Sequence, residues 1–171
     1  MPETFELTPT ESVEFRSATP EVLEVEATYG VGGSTPPKHL HPAQDEHFEV
    51  LAGTMRVRMD GVERDLAAGD AFDIPRGTVH QMWNPAAEPA RVSWRTNPAL
   101  RTEQWFRALD AVRRERPPGR DGMPGPLAYG VVLTEYRDVF RLAGPDWLLR
   151  PALAVLARIG RGRGYSALPS R

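Results

Sequence analysis

Short runs of alternating apolar and polar residues, separated by turn-forming residues every eight to twelve positions, extend from Glu11 to about Pro98. In the stretch 23–29 every second residue is apolar, and the residues between them are charged or polar. This period of two is typical of a β-strand with one buried face. Closely spaced strands of this kind predict an antiparallel sandwich or barrel, and no helix of useful length fits before residue 100.

One turn is specified by its own two residues. Asp60-Gly61 lies between the alternating stretches 55–59 and 62–66, and this pair suits a two-residue type I′ hairpin. The same alternation predicts four further strands, near Phe48–Leu51, Ala71–Ile74, His80–Trp83 and Ala90–Thr96.

After Pro98 the apolar period changes from two to that of a helix. Trp105, Phe106, Leu109 and Val112 recur at helical spacing, which predicts a helix from about Thr102 to Glu115. A segment rich in Pro and Gly, 116–126, ends it. A second helix is predicted from the spacing of Val132, Tyr136, Val139 and Phe140.

The last apolar segment, Asp146 to Ile159, predicts a third helix that is shorter than the roughly 20 residues needed to cross a bilayer. It could lie flat on a membrane with Arg158, Arg161 and Arg163 toward lipid phosphates. Burial against the barrel or a second subunit is the more common arrangement. The helices together could close the barrel mouth or extend a dimer interface.

Composition excludes several kinds of chemistry. The chain has no cysteine, so disulfides, thiolate metal sites and cysteine nucleophiles are ruled out, and a metal would need nitrogen and oxygen ligands. The N-terminus lacks the apolar core of a secretory signal, so a cytoplasmic location is expected. Residues 1–100 carry sixteen acidic and eight basic groups, whereas residues 101–171 carry seven and thirteen. We expect the basic part to pack on the acidic body or on a partner subunit, rather than on nucleic acid.

Three of the four histidines fall within two spaced motifs. The first is Gly33, five residues, His39-Leu40-His41, four residues, Glu46, six residues and Gly53. The second is Gly69, five residues, Pro75, one residue, Gly77, two residues, His80, three residues and Asn84. We expect the glycines at 53, 69 and 77 to serve tight turns or close backbone approach.

These two motifs match the two consensus motifs of the cupin superfamily at every fixed position, and the resemblance covers roughly residues 20–98. It implies a double-stranded β-helix, or jelly-roll barrel. Together with the helical spacing after residue 98, this predicts an all-β fold followed by two or three C-terminal helices. The resemblance also implies that His39, His41, Glu46 and His80 bind one divalent metal ion. We therefore expect a cupin barrel with its N-terminal strand in residues 1–98 and a helical extension in residues 99–171.

Strand geometry agrees with that ligand set. His39 and His41 are two positions apart and so share one face of a strand, with Leu40 on the other. Glu46 shares its face with Phe48 and Val50, which leaves His47 facing outward as a residue that does not bind the metal.

Three imidazoles and one carboxylate would leave two adjacent positions of an octahedral ion open to a substrate or dioxygen. The donor set suits iron, manganese, nickel, zinc, cobalt or copper, and the sequence does not select among them. If the strand phases are right, a largely apolar pocket surrounds the ion, lined by Tyr29, Met55, Val57, Phe72, Met82 and Trp94. Each of these side chains could equally belong to the core.

The resemblance implies an enzyme that acts on a small organic molecule, by dioxygenase-like chemistry or by Lewis-acid cyclase or isomerase chemistry. A non-catalytic, metal-dependent binding module is the alternative. A DNA-binding sensor is disfavoured because the helices lack a helix-turn-helix pair with a basic face. Sugar isomerase chemistry lacks its inward lysine, since the only lysine, Lys38, should point outward. Small cupins usually dimerise, so a homodimer is expected.

Overall fold

The computed structural model describes residues 3–115 and 124–167. Within them the strands are β1 Thr4–Thr8, β2 Glu11–Ala18, β3 Leu23–Tyr29, β4 His39–Leu40, β5 Asp45–Ala52, β6 Thr54–Met59, β7 Val62–Ala67, β8 Ala71–Ile74, β9 His80–Trp83, β10 Ala90–Asn97 and β11 Arg141–Leu142. The helices are α1 Thr102–Glu115, α2 Pro126–Glu135 and α3 Asp146–Gly162. The prediction of an antiparallel β-barrel followed by helices is confirmed.

Two antiparallel sheets face each other across the core. One has six strands in the order β1-β2-β3-β10-β5-β8, and the other has five in the order β11-β4-β9-β6-β7. The inward side chains of both sheets form the core, and those with almost no exposure include Val13, Val25, Ala27, Val50, Val57 and Val92. Burial along β3 alternates residue by residue, as the sequence predicted. β11 follows α2 in the chain, so residues beyond 98 complete one of the barrel sheets.

The Asp60-Gly61 hairpin is confirmed. Met59 pairs with Val62 across the turn, and the two central residues have φ angles of 48° and 87°. Both angles lie in the left-handed region that a type I′ turn requires. The strand β1 lies before residue 11, where the predicted alternation begins, and Phe5 and Leu7 are its two buried residues.

The basic extension packs on the acidic body through α1, as expected from the charge distribution. The Arg107 guanidinium lies 2.5 Å from a carboxylate oxygen of Glu3, and Arg113 pairs with Glu6 of β1. The backbone N–H of Glu6 also donates to Asp110 at 3.0 Å. These contacts fix α1 across the N-terminal strand, and the bounds of α1 are those that the sequence predicted.

The predicted second helix is wrong at its C-terminal end. α2 ends at Glu135, and Val139 and Phe140 lie beyond it. The amides of both residues donate to the carbonyl of Tyr136, at 3.0 and 2.9 Å. This turn has the three- and four-residue hydrogen-bond spacing of a helix but does not continue as one, so its apolar residues have a helical period.

α3 is only partly buried within this chain. It packs on α2 through a face that includes Ala157 and Gly160, whereas Trp147 is 79% exposed. Leu148, Val155 and Ile159 are also exposed. The expected burial of α3 against the rest of the chain is therefore found for one face of the helix only. No helix within the described ranges is long and apolar enough to cross a bilayer.

The contact between α2 and α3 depends on a glycine. A Cβ atom at Gly160 would lie 2.7 Å from the Leu127 carbonyl oxygen and 2.8 Å from Val131, whereas one at Gly162 would meet nothing within 4 Å. We expect Gly160→Ala to destabilise the protein by about 1–3 kcal/mol through overpacking. Gly162→Ala, on the same helix, should be neutral or stabilise by up to about 1 kcal/mol. Urea unfolding followed by circular dichroism measures both, and equal effects would contradict the close packing.

Candidate metal centre

Three strands bring the four predicted ligands to one end of the barrel interior. His39 lies on β4 and His41 directly after it, while Glu46 lies on β5 and His80 on β9. His39 and His80 are directly opposite each other in the β4–β9 pair. The two motifs, which are separate in sequence, therefore meet through strand pairing.

Potential ligand atoms of the four residues lie close together. One ring nitrogen from each of His39, His41 and His80 lies within 4.8 Å of the other two. The Glu46 carboxylate oxygens lie 3.4 Å from Nε2 of His41 and 3.4 Å from Nε2 of His80. Two ligands that each lie about 2.0–2.2 Å from one ion are themselves about 3–4 Å apart, so these separations fit a shared cation.

Backbone carbonyls orient all three imidazoles. Nδ1 of His39 lies 2.9 Å from the Pro37 carbonyl oxygen, that of His41 2.7 Å from Val139, and that of His80 3.0 Å from Thr78. A carbonyl oxygen only accepts hydrogen bonds, so each Nδ1 carries the proton and donates. Each Nε2 is then left with a free lone pair, which is the tautomer that a metal ligand requires.

Burial keeps these imidazoles neutral. Desolvation lowers the pKa of His39 and of His80, and it lowers the pKa of His41 to about 3. Repulsion from the neighbouring imidazoles lowers the pKa of His39 and His41 further. No protonated histidine therefore faces Glu46 at neutral pH, and the carboxylate lacks an ion-pair partner there.

One oxygen of Glu46 is unsatisfied among the described residues. Trp94 Nε1 donates to Oε1 at 3.0 Å, but Oε2 is buried and has no hydrogen-bond partner. Burial raises the pKa of Glu46 to about 8, although the hydrogen bond from Trp94 opposes the rise. A buried carboxylate oxygen that faces imidazole lone pairs is costly unless a cation lies between them. The residues present therefore fit a divalent metal ion.

His47 lies outside this group. It is on β5 beside Glu46 but on the opposite face, where its Nδ1 contacts Asp73 at 2.7 Å.

A cavity of about 100 Å³ adjoins the four residues. Three of the six pocket residues proposed from the sequence, Tyr29, Met82 and Trp94, line it. Met55, Val57 and Phe72 do not line it and are instead packed in the core. Alternation predicted that these side chains face inward, but it does not determine how far along the barrel axis each of them lies.

Residues from outside the predicted barrel close the cavity. Trp105 and Leu109 come from α1, Tyr129 from α2, and Phe140 from the turn before β11. The Phe140 ring stacks on His39 with a centroid distance of 4.6 Å and on Trp105 at 4.9 Å. The sequence suggested a lid or a dimer interface for these helices, and in this chain α1 and the turn after α2 cover the histidines. No sequence signal placed Phe140 at the site.

A second acid, Glu11 of β2, also lines the cavity, beside Tyr29. Glu11 is not among the site residues predicted from the sequence. It begins the alternating pattern, so its inward phase could have been recognised from Val13, two positions on.

The comparisons with known proteins agree with the sequence motifs. A sequence profile described as a cupin domain matches residues 25–95. Residues 25–95 are a cupin domain. An RmlC-like cupin from Shewanella frigidimarina NCIMB 400 has the same fold, with a TM-score of 0.53 and 20% sequence identity over 60% of this chain and 88% of that one. The cupin fold that the two motifs predict is thereby confirmed, and three helices follow it in the chain.

Two curated relatives match part of the chain. The oxidoreductase iacF of Pestalotiopsis fici is 45% identical over 53 residues, which cover 30% of this chain and 26% of that protein. The tetracenomycin polyketide synthase protein TcmJ of Streptomyces glaucescens is 32% identical over 66 residues, covering 39% and 44%. The chain thus matches less than half the length of either relative.

Proposed function

We propose that this cupin is a metal-dependent oxidoreductase that oxidises a small, largely apolar organic molecule at a centre formed by His39, His41, Glu46 and His80. The observation that carries the proposal is the convergence of three neutral, Nδ1-anchored imidazoles and one unsatisfied carboxylate oxygen at the wall of an apolar cavity. The partial match to a protein named an oxidoreductase supports the reaction class.

Two groups of residues have different roles: four would bind the metal, and others form the apolar wall of the cavity. A bound divalent transition metal supplies Lewis acidity and, where it is redox-active, electron transfer. Neutral imidazoles and one carboxylate leave a divalent centre with a net charge of about +1, which favours an anionic or oxygen-bearing ligand. Phe140, Trp105 and Leu109 contribute apolar side chains to the cavity wall, which disfavours water there.

The test is to load the purified protein with Fe²⁺ and measure dioxygen uptake with a panel of small aromatic acids and diketones. We expect uptake with at least one compound, and a loss of at least about 100-fold in His80→Ala, because a ligand is removed. Circular dichroism and elemental analysis of both proteins separate lost chemistry from lost folding. Metal bound at one equivalent, with no compound consumed, would contradict the enzyme and favour a binding module.

A second candidate is Lewis-acid chemistry of the cyclase or isomerase type. The partial match to a protein named for a polyketide synthase supports it. Conversion of a compound at equal rates with and without dioxygen would favour this candidate over oxidation. A homodimer and a cytoplasmic location stay predictions from the sequence.

A further inference from the structure

Glu11 is a carboxylate in the cavity wall that the proposed metal centre does not use. It opens β2 directly opposite Tyr29 of β3, and both residues line the cavity that the histidines adjoin. Val13, two positions along, shares its face and is fully buried. Glu14 lies on the other face and pairs with Arg16.

The surroundings of Glu11 leave part of its hydrogen-bonding capacity unused. Tyr29 lies within hydrogen-bonding reach of the Glu11 carboxylate, and burial raises the pKa of Tyr29 well above its usual value. The Tyr29 hydroxyl therefore keeps its proton and donates to Glu11. A carboxylate has about four acceptor positions, and this hydrogen bond uses one of them. Burial also raises the pKa of Glu11 to about 7, against the opposing effect of this hydrogen bond.

Tyr29 lines the same cavity as Glu11 and Glu46. The charges of both carboxylates raise the pKa of Tyr29. The remaining wall of the cavity is mainly aromatic and aliphatic, and includes Phe48, Trp94 and Leu109. The cavity thus has two polar regions, the histidine cluster and the Glu11–Tyr29 pair, within an apolar enclosure.

A second cavity, of about 80 Å³, meets the first at this pair. Glu11, Tyr29 and Met82 line both, and the second is otherwise lined largely by the loop that follows β3, including Ser34 and Thr35. Glu11 therefore borders both cavities.

We propose that Glu11, held by Tyr29, is the specificity-determining residue of this cavity and accepts a hydrogen bond from a hydroxyl group of the ligand. The ligand class is a hydroxylated compound of about one ring whose other oxygen function meets the metal centre. This inference rests on the proposed function. A site built to bind a hydroxyl group discriminates against the analogue that lacks it, because the analogue leaves the acceptor without that partner. Glu11 is half-buried at the cavity wall.

The experiment compares benzoate with 3-hydroxybenzoate and 4-hydroxybenzoate by isothermal titration calorimetry at pH 8, using the full chain both metal-free and loaded with Zn²⁺. We expect the better hydroxybenzoate to bind about tenfold more tightly than benzoate, as for one hydrogen bond to a charged acceptor. Glu11→Met, which removes the acceptor at similar length, should bring this ratio to about one. Glu14→Met, on the outer face of the same strand, should leave it unchanged.

Three outcomes would overturn the assignment: no probe binds the wild-type protein, the wild type does not distinguish them, or Glu11→Met keeps the tenfold ratio. If Glu11→Met does not fold by circular dichroism, Tyr29→Phe decides, because loss of its hydroxyl should reduce the ratio at least about threefold, and an unchanged ratio overturns the proposal. Elemental analysis measures bound metal and so tests the proposed function separately. The preference for hydroxybenzoate over benzoate is measured in the metal-free protein and does not depend on metal binding.

Discussion

Replacing Glu46 with glutamine should weaken divalent metal binding by at least about 100-fold, more than is usual for the loss of a residue that only supports a ligand. The substitution removes the only carboxylate among the four proposed ligands and keeps the acceptor for Trp94 Nε1. The metal-free fold should become more stable at neutral pH and above, because burial raises the pKa of Glu46 to about 8. Folding must therefore protonate this carboxyl or bury its charge, and glutamine removes that cost. Competition titration with a chelator and thermal unfolding without metal measure the two effects.

His47→Gln is the matched control, since His47 is the next residue on β5 but faces outward toward Asp73. It should change neither metal affinity nor the stability of the metal-free protein by an appreciable amount. Equal metal affinity in the wild type and Glu46→Gln would exclude Glu46 as a ligand. Weaker binding in His47→Gln would place the ion elsewhere.

Replacing Phe140 with alanine should both destabilise the protein and speed the release of its metal. The ring is 5% exposed and stacks on His39 and Trp105, so its removal should cost about 3–5 kcal/mol. It should also open the site to solvent and loosen the ring of His39, which raises the rate at which a chelator removes the ion. Urea unfolding and the kinetics of chelator extraction give the two measurements.

Phe72→Ala supplies the comparison for that experiment. Phe72 is also 5% exposed and stacks on Phe48 at 5.2 Å, but it does not line the cavity. It should lose a similar amount of stability while releasing metal at the wild-type rate under native conditions. Equal release rates from the two variants would mean that Phe140 stabilises the fold without shielding the site.

The sequence was most informative where the chemistry of single residues restricts the backbone. Asp60-Gly61 predicted its turn because few pairs accept two positive φ angles, and the spacing of His39 and His41 predicted one shared face. Strand phase was equally well determined, as the alternating burial of β3 illustrates. Each of these features depends on residues that are only a few positions apart in the sequence, so a local sequence pattern can predict it.

The remaining parts of the site depend on contacts between distant residues. Val139, whose carbonyl accepts from His41, is 98 positions away in the chain, and Phe140 was assigned to a helix that ends before it. Met55 and Val57 had the right phase but the wrong depth. The period of the apolar residues shows which face of a strand is buried. It does not show how far along the barrel axis a side chain lies, or where the chain runs after α2.

The acceptor for His41 comes from residue 139, whereas the cupin profile ends at residue 95. A transplanted or truncated domain with the profile's boundaries would carry every proposed ligand and lack the group that sets the orientation of one of them. Conversely, substitutions in the turn after α2 could retune the affinity and selectivity of the centre over evolution while all four ligands stay the same. Two homologues with identical motifs could differ in the metal they retain, and the difference would lie in a stretch that motif comparison does not examine.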